Sequence, residues 1–196
     1  YEKSIELLNK AVADELAAVH QYMYFHFHCE DQGYELLSKL FLKTAIEEMG
    51  HIERSAERVL FLKGDVEMVP AMGVEKIHDV REMLVKARQM EQDSARDYNI
   101  WANETSANND AATKIVFEGL IADEERHYDQ FDMEVDSIDK FGDRYLALQS
   151  IERSKGAAAG APPMGFMLWA IWFAIVIPTP SPIRLPAMPP PPGFEA

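Results

Sequence analysis

Glu15 and Tyr22, with Glu48 and His51, recur 76 positions later as Glu91 and Tyr98 with Glu124 and His127. Four carboxylates and two imidazoles in two matching sets are the ligand types that a pair of oxygen-loving transition-metal ions takes inside a four-helix bundle. A lone Glu-x-x-His is weak evidence. Glu75-x-x-His78 is a third instance, and it is assigned to a helix start rather than to a site. The weight lies in the joint pattern: two motifs, two partner acids, two tyrosines and one offset.

Such a centre needs four helices that bring the acids to one depth. If Glu15 and Glu48 are level on antiparallel helices, the turn between them falls near 31–32, where the chain has Asp31, Gln32 and Gly33. Glu91 and Glu124 place a second turn near 107–108, within Ser106, Ala107, Asn108, Asn109 and Asp110. Glycine supplies positive φ, and Asn, Asp and Ser bond to nearby backbone, so both stretches favour turns. Each acid also interrupts an apolar stripe at helical spacing. Val12 and Val19 flank Glu15, Phe41 and Ala45 precede Glu48, Leu84 and Ala87 precede Glu91, and Phe117, Leu120 and Ile121 precede Glu124. Buried and unpaired, each carboxylate would cost several kcal/mol, so positive charge must sit among them.

The helices read as about 3–30, 34–62, 75–105 and 110–139, with a shorter fifth over about 141–155. Lys63 and Gly64 suit a helix C-terminus. Residues 64–74, which include Pro70 and Gly73, are long enough to run back along the bundle and make the second and third helices parallel. The expected class is all-α, a four-helix bundle with a long crossover.

Composition changes near residue 155. Ten of the eleven prolines lie beyond it, so with Pro70 alone before it the leading part can be almost wholly helical. The tail contributes only Arg184 and Glu195 as charges, so the net charge of −14 belongs to the leading part. A surface this acidic repels nucleic acid and anionic membrane, concentrates cations, and also serves solubility. Cys29 is the only cysteine, which excludes an intrachain disulfide, and it reads as a small buried residue near the end of the first helix. No secretory signal is read ahead of that helix, and the cytoplasm is the expected compartment.

Two domains follow, 1–155 helical and 156–196 an extension made of a small-residue linker, an apolar run over 164–177 and a proline-dense end. As a helix the run would span about 21 Å against a hydrocarbon core of roughly 30 Å, which disfavours a membrane span. The leading reading is packing inside an oligomer or against a partner protein, and the alternatives are contact with a membrane and a cloning or reading-frame artefact. The proline stretch reads as polyproline II or irregular chain.

Glu15-Leu-Ala-Ala-Val-His-Gln-Tyr22, Glu47-Glu48-Met49-Gly50-His51 followed by Arg58-Val-Leu-Phe-Leu-Lys-Gly64, and Asp123-Glu124-Glu125-Arg126-His127 resemble the diiron helices of bacterioferritin, the haem-containing branch of the ferritin superfamily. The resemblance covers residues 1–155 and none of the tail. It implies a ferritin-like fold in which Glu48 and Glu124 bridge two irons. Glu15 and His51 complete one iron's ligands, and Glu91 and His127 the other's. Tyr22 hydrogen-bonds a ligand carboxylate, while Tyr98 does likewise or packs. The implied activity is that of a ferroxidase, oxidising Fe²⁺ with oxygen or peroxide. Ferric mineral is then stored in a hollow homo-oligomer, a 24-mer built from dimers.

The resemblance also implies a haem shared between two subunits through Met49, which lies about 100° round the helix from Glu48, off the diiron face. Gly50 stands where a longer polar residue is common and is expected to give the porphyrin room. Lys43 lies where some members carry an inner-surface iron-binding His, although Glu47 keeps the accompanying acid, so an inner iron site is doubtful. His20, His26 and His28 are expected to pack or to lie at the surface. A rubrerythrin-like peroxidase would use similar ligands, but it normally adds a cysteine cluster that one cysteine cannot build. The non-enzymatic alternatives are a haem carrier and a cargo protein docked by its tail.

Overall fold

The computed structural model describes residues 1–148 and 151. Four long helices follow one another, α1 (Glu2–Asp31), α2 (Glu35–Phe61), α3 (Val80–Ala107) and α4 (Ala111–Phe141). A short helical stretch over 143–148 adds the fifth element, and no strand occurs among the described residues. The chain is therefore the expected all-α, ferritin-like four-helix bundle with a long second-to-third connection. The rest of the expected fifth helix and the 156–196 extension lie outside the described residues. Among those described, no helix is long and apolar enough to cross a membrane.

Both hairpin turns close by one device. At the end of α1, Gly33 takes φ 86°, its N–H bonds Glu30 C=O at 3.0 Å, and Tyr34 N–H bonds Cys29 C=O at 2.8 Å. At the end of α3, Asn109 takes φ 58°, its N–H bonds Ser106 C=O at 3.0 Å, and Asp110 N–H bonds Thr105 C=O at 2.9 Å. These paired bonds satisfy carbonyls that the helix end leaves without partners. Gly33 and Asn109 stand at the same 76-residue offset as the acids. The repeat thus sets the turns as well as the site.

α2 ends in the same way, but its positive-φ residue is Lys63, at 65°, not Gly64. Gly64 is needed for space: a Cβ there would lie 2.7 Å from Ile5 Cγ2 and 3.0 Å from Val59 Cγ1. Gly64→Ala should therefore cost about 1–3 kcal/mol by overpacking. A urea midpoint lowered at unchanged slope would report it, and an unchanged midpoint would mean that Ile5 yields freely. A second glycine acts through φ. Gly142, at 55°, breaks the chain away from α4, so the fifth helix starts at 143 rather than 141.

α3 begins at Val80, later than the 75 expected, because the Asp79 carboxylate accepts the Glu82 N–H at 2.9 Å and caps the helix there. Glu75 and His78 consequently lie in the connection and not on a helix, which corrects their assignment to a helix start. Glu75 pairs with Lys86, and His78 Nε2 bonds the Tyr24 hydroxyl at 2.8 Å.

Two buried amides on α1 hold the connection. Asn9 gives its N–H to Asp65 C=O at 2.9 Å and accepts Glu67 N–H at 3.0 Å. Gln21 does the same with Glu75, at 2.9 and 2.7 Å. Between them Ala71 N–H bonds Ala13 C=O at 2.9 Å. The contact points advance along α1 as the connection advances, so it returns to the end where α2 began, and α3 runs parallel to α2.

α1 packs on α2 and α3 on α4, with further contacts of α1 with α3 and α2 with α4. The core forms two apolar layers. One includes Tyr22, Phe25, Phe41, Leu84, Ala87 and Phe131. The other includes Leu8, Ala11, Val59, Tyr98, Phe117 and Leu120. Fully burying the leucine, valine and phenylalanine side chains among these stabilises by about 1.5–3 kcal/mol each. Cys29 is buried in the first layer, its Sγ 3.7 Å from Met83 Sδ, and burial pushes its thiol up to about 12.

Candidate metal centre

On every helix the repeated acid falls between a residue of one apolar layer and a residue of the other: Glu15 between Ala11 and Tyr22, Glu48 between Ala45 and Val59, Glu91 between Ala87 and Tyr98, and Glu124 between Leu120 and Phe131. The layers exclude water from both sides. Glu15, Glu48, His51, Glu91, Glu124 and His127 are each no more than 2% exposed. Their ligand atoms form two overlapping groups, Glu15, Glu48, His51 and Glu124, and Glu48, Glu91, Glu124 and His127. Within each group one atom per residue lies within 4.8 Å of the others.

Glu48 and Glu124 belong to both groups by geometry. Glu48 sets Oε2 at 2.7 Å from His51 Nδ1 and Oε1 at 2.9 Å from His127 Nδ1. Glu124 sets Oε1 at 2.9 Å from His51 Nδ1 and Oε2 at 3.5 Å from His127 Nδ1. Each therefore offers one oxygen to each imidazole. Glu15 faces only His51, with Oε1 at 3.2 Å, and Glu91 only His127, with Oε2 at 3.7 Å. The two rings lie nearly parallel, 5.8 Å apart between centroids.

The tyrosines cross between the hairpins. Tyr22 on α1 donates its hydroxyl to Glu91 on α3, and Tyr98 on α3 donates to Glu15 Oε1 on α1 at 2.6 Å. Burial and the facing carboxylates push both phenols well up, so both remain donors. Tyr98 thus donates to a cluster carboxylate as Tyr22 does.

The electrostatics call for a cation. Burial, with Glu91 and Glu15 nearby, pushes the Glu48 carboxyl up to about 7. Glu124 is driven well up by burial and by Glu15, Glu48 and Glu91. For Glu15 burial also opposes the charge, but His51 and the Tyr98 hydroxyl outweigh it and hold the carboxyl below its ordinary range. Burial opposes charge on the imidazoles too, yet the facing carboxylates raise both, His127 to about 12. Even so, both Glu48 oxygens, Glu124 Oε1 and His127 Nδ1 lack a hydrogen-bond partner despite full burial. A buried polar atom left this way costs about 1–3 kcal/mol. All four point into the cluster, and oxygen with imidazole nitrogen is a donor set that fits iron or manganese.

Glu47 and Asp123, at the repeat offset and each one residue before a shared carboxylate, back the imidazoles from outside. Glu47 Oε2 is 2.8 Å from His127 Nε2, and Asp123 Oδ2 is 3.4 Å from His51 Nε2. Burial works against both charges, but Arg126 and His127 hold Glu47, and Arg54 and Arg126 hold Asp123, below the usual range.

Met49 and Gly50 are half-buried and outside the cluster, and a Cβ on Gly50 would meet nothing within 4 Å. Lys43 is exposed, 3.6 Å from Glu47. His20 is exposed, His26 pairs with the Ser38 hydroxyl at 2.8 Å, and His28 packs against His78 with ring centroids 4.6 Å apart.

A family model described as a ferritin-like domain matches residues 5–141. The chain is 33% identical to a bacterioferritin of Rhodobacter capsulatus over 147 residues, covering 74% of this chain and 91% of the relative. It is 32% identical to that of Brucella melitensis, covering 76% and 92%. Among solved structures it is similar to the Rhodobacter capsulatus bacterioferritin with a metal-free dinuclear site and a haem iron, at TM-score 0.73 and 30% identity, covering 84% of this chain and 96% of that one. It is also similar to the Desulfovibrio desulfuricans bacterioferritin whose diiron site was captured in different catalytic states, at TM-score 0.75 and 32% identity, covering 76% and 87%. With the fold, the paired ligand groups and these relatives in agreement, the chain belongs to the bacterioferritin family of ferritin-like proteins.

Proposed function

We propose that this chain is an iron-storing ferroxidase subunit whose substrate is Fe²⁺, bound two per chain by the buried cluster. The observation that carries this reading is that Glu48 and Glu124 each offer one oxygen to either imidazole. In this reading those two carboxylates bridge, Glu15 and His51 complete one position, and Glu91 and His127 complete the other. Four carboxylates offset the charge of two Fe²⁺, which removes most of the cost of burial. Tyr22 and Tyr98 orient the terminal carboxylates Glu91 and Glu15.

Two adjacent Fe²⁺ surrender one electron each to a single oxidant. With peroxide, those electrons and two protons give two waters and two Fe³⁺. The two protons come from solvent, because the cluster gives up its own as the metal binds. The apolar layers on either side keep bulk water from the reacting ions. Iron-free full-length protein should take up two Fe²⁺ per chain without oxygen, then turn ferric in a fast phase when oxygen or peroxide is added. Uptake of less than two, or oxidation no faster than free iron in the same buffer, would sink the reading.

The family's haem is carried to Met49. Its place off the cluster face, half-buried, and the open space beside Gly50 fit a flat group laid against α2. Met49 and its counterpart in a paired subunit would hold the haem, which would supply electron transfer. Met49→Ala should abolish a bis-thioether haem spectrum and leave Fe²⁺ uptake at two per chain. Protein purified colourless from haem-supplied cells would remove the haem assignment and leave the iron one standing.

Assembly into a hollow 24-mer of dimers in the cytoplasm completes the reading, with residues 1–155 as the iron domain and 156–196 as an extension. Elution as a shell, far ahead of a dimer, supports it. Elution as a dimer favours a haem-carrying or cargo role.

A further inference from the structure

The two halves of the centre match in the groups that face inward but differ in what stands behind each imidazole. Behind His127, Glu47 Oε2 accepts from Nε2 at 2.8 Å. Behind His51, Asp123 Oδ2 stands off at 3.4 Å, and Nε2 is fully buried with no hydrogen-bond partner. We propose that the chain binds divalent cations at two positions of unequal affinity, the His127 position filling first, and that Arg54 sets the inequality by withholding Asp123 from His51. This rests on the two-ion reading above.

A carboxylate behind a ligating imidazole fixes its ring and tautomer and raises its basicity, and losing such a partner typically costs 10- to 100-fold in metal affinity. Arg126 bonds both outer carboxylates, Asp123 at Oδ1, 3.0 Å, and Glu47 at Oε2, 3.1 Å; on Glu47 it shares the oxygen that His127 uses, yet the ring keeps its 2.8 Å contact, so Arg126 does not explain the gap behind His51. Lys43 approaches only Glu47 Oε1, the oxygen that His127 does not use. Arg54 bonds Asp123 and not Glu47. Its Nη2 lies 2.6 Å from Asp123 Oδ2, the same oxygen that faces His51.

The repeat identifies what has diverged. Arg54 corresponds to the neutral Gln130 at the 76-residue offset, and Glu47 corresponds to the shorter Asp123. One half therefore has a longer acid that answers to Arg126 alone among the arginines and still reaches its imidazole. The other has a shorter acid bound to Arg54 as well. Arg54 is a positioning residue, acting on the metal through Asp123 and His51.

Anaerobic titration of the full-length chain with Co²⁺, by calorimetry and by visible absorption, tests this apart from any iron oxidation. Two steps are expected, separated by about 10-fold or more. His51→Ala should keep the tighter step and His127→Ala should lose it. Arg54→Gln gives the residue the side-chain type of its counterpart. It should tighten the weaker step until the two merge, while Glu47→Ala weakens the tighter step by 10- to 100-fold. Arg54 is surface-accessible, so the Arg54→Gln chain should unfold at the native midpoint, and a merely structural role would leave both steps unmoved.

Two Co²⁺ binding with one affinity would overturn the inference and leave the iron reading intact. Fewer than two bound would overturn both. Retention of the tighter step in His127→Ala would overturn the assignment of order, and unchanged steps in Arg54→Gln would overturn the role of Arg54. The native titration needs no variant to fold.

Discussion

Glu124→Leu should make the metal-free chain more stable and the metal-supplied chain less stable than the native one. Glu124 is 1% exposed, and its charge is opposed by burial and by Glu15, Glu48 and Glu91. Leucine fills a similar volume without charge, and replacing buried ionic groups by apolar ones of like size often stabilises by about 1–4 kcal/mol. Metal reverses the order. An ion at 100 times its dissociation constant stabilises by about 2.7 kcal/mol, and two such ions by twice that. Without Glu124 both positions lose a ligand, because it serves both. Urea unfolding with a chelator and again with excess Co²⁺ would show the curves change places. A metal-free Glu124→Leu chain weaker than native would mean that Glu124 is already satisfied by its protein neighbours, and the case for a buried cation would fall. Iron oxidation by this variant should drop to the rate of free iron in buffer.

The cluster was legible in the sequence because six buried polar groups break apolar stripes, and they do so twice at one offset. Their depth was legible too, since Gly33 and Asn109 mark turns midway between the paired acids. The outer pair, Glu47 and Asp123, was harder to see. It keeps the same offset, but among 33 acidic residues an acid beside a ligand resembles an ordinary solvated face. Only the partners across helices, His127 and His51, give it meaning. Asn9 and Gln21 are similar cases, because their bonds run to residues 54 to 58 positions away and leave no local period.

The start of α3 was misplaced for a different reason. Val74, Ile77, Val80 and Leu84 continue a helical rhythm upstream, while the true boundary is the Asp79 cap with Glu82 three residues on, the pattern of a capping box. The cap, not the rhythm, governs the backbone. At the end of α2 the glycine signal was right about the turn but wrong by one residue about φ. Lys63 carries the left-handed turn, while Gly64 answers to Ile5, a contact between distant segments that composition does not announce.

The protons held by the centre should make metal-free stability fall as pH rises, and metal binding should reverse the trend. Glu48 goes from an ordinary 4.5 to about 7 on folding. Between those values the folded chain keeps a proton that the unfolded chain has lost, so stability declines across that window. At about 1.4 kcal/mol per pH unit the decline from Glu48 alone is about 3 kcal/mol. Glu124 acts in the same direction. The imidazoles do as well, because their raised folded values give stability that is complete below 6.5 and lost as pH rises towards those values. Glu15 acts oppositely, but only below its ordinary 4.5. The metal-free chain should therefore be most stable near pH 5 and lose several kcal/mol by pH 8. Metal ions displace these protons, so affinity should rise with pH, and about one proton fewer should leave per ion pair at pH 8 than at pH 6, because Glu48 is by then ionised. Calorimetry of Co²⁺ binding in buffers of different ionisation enthalpy counts them. Release of none at either pH would mean that the cluster is neutralised by something other than its own protons, and the raised Glu48 and Glu124 would lose their physical basis.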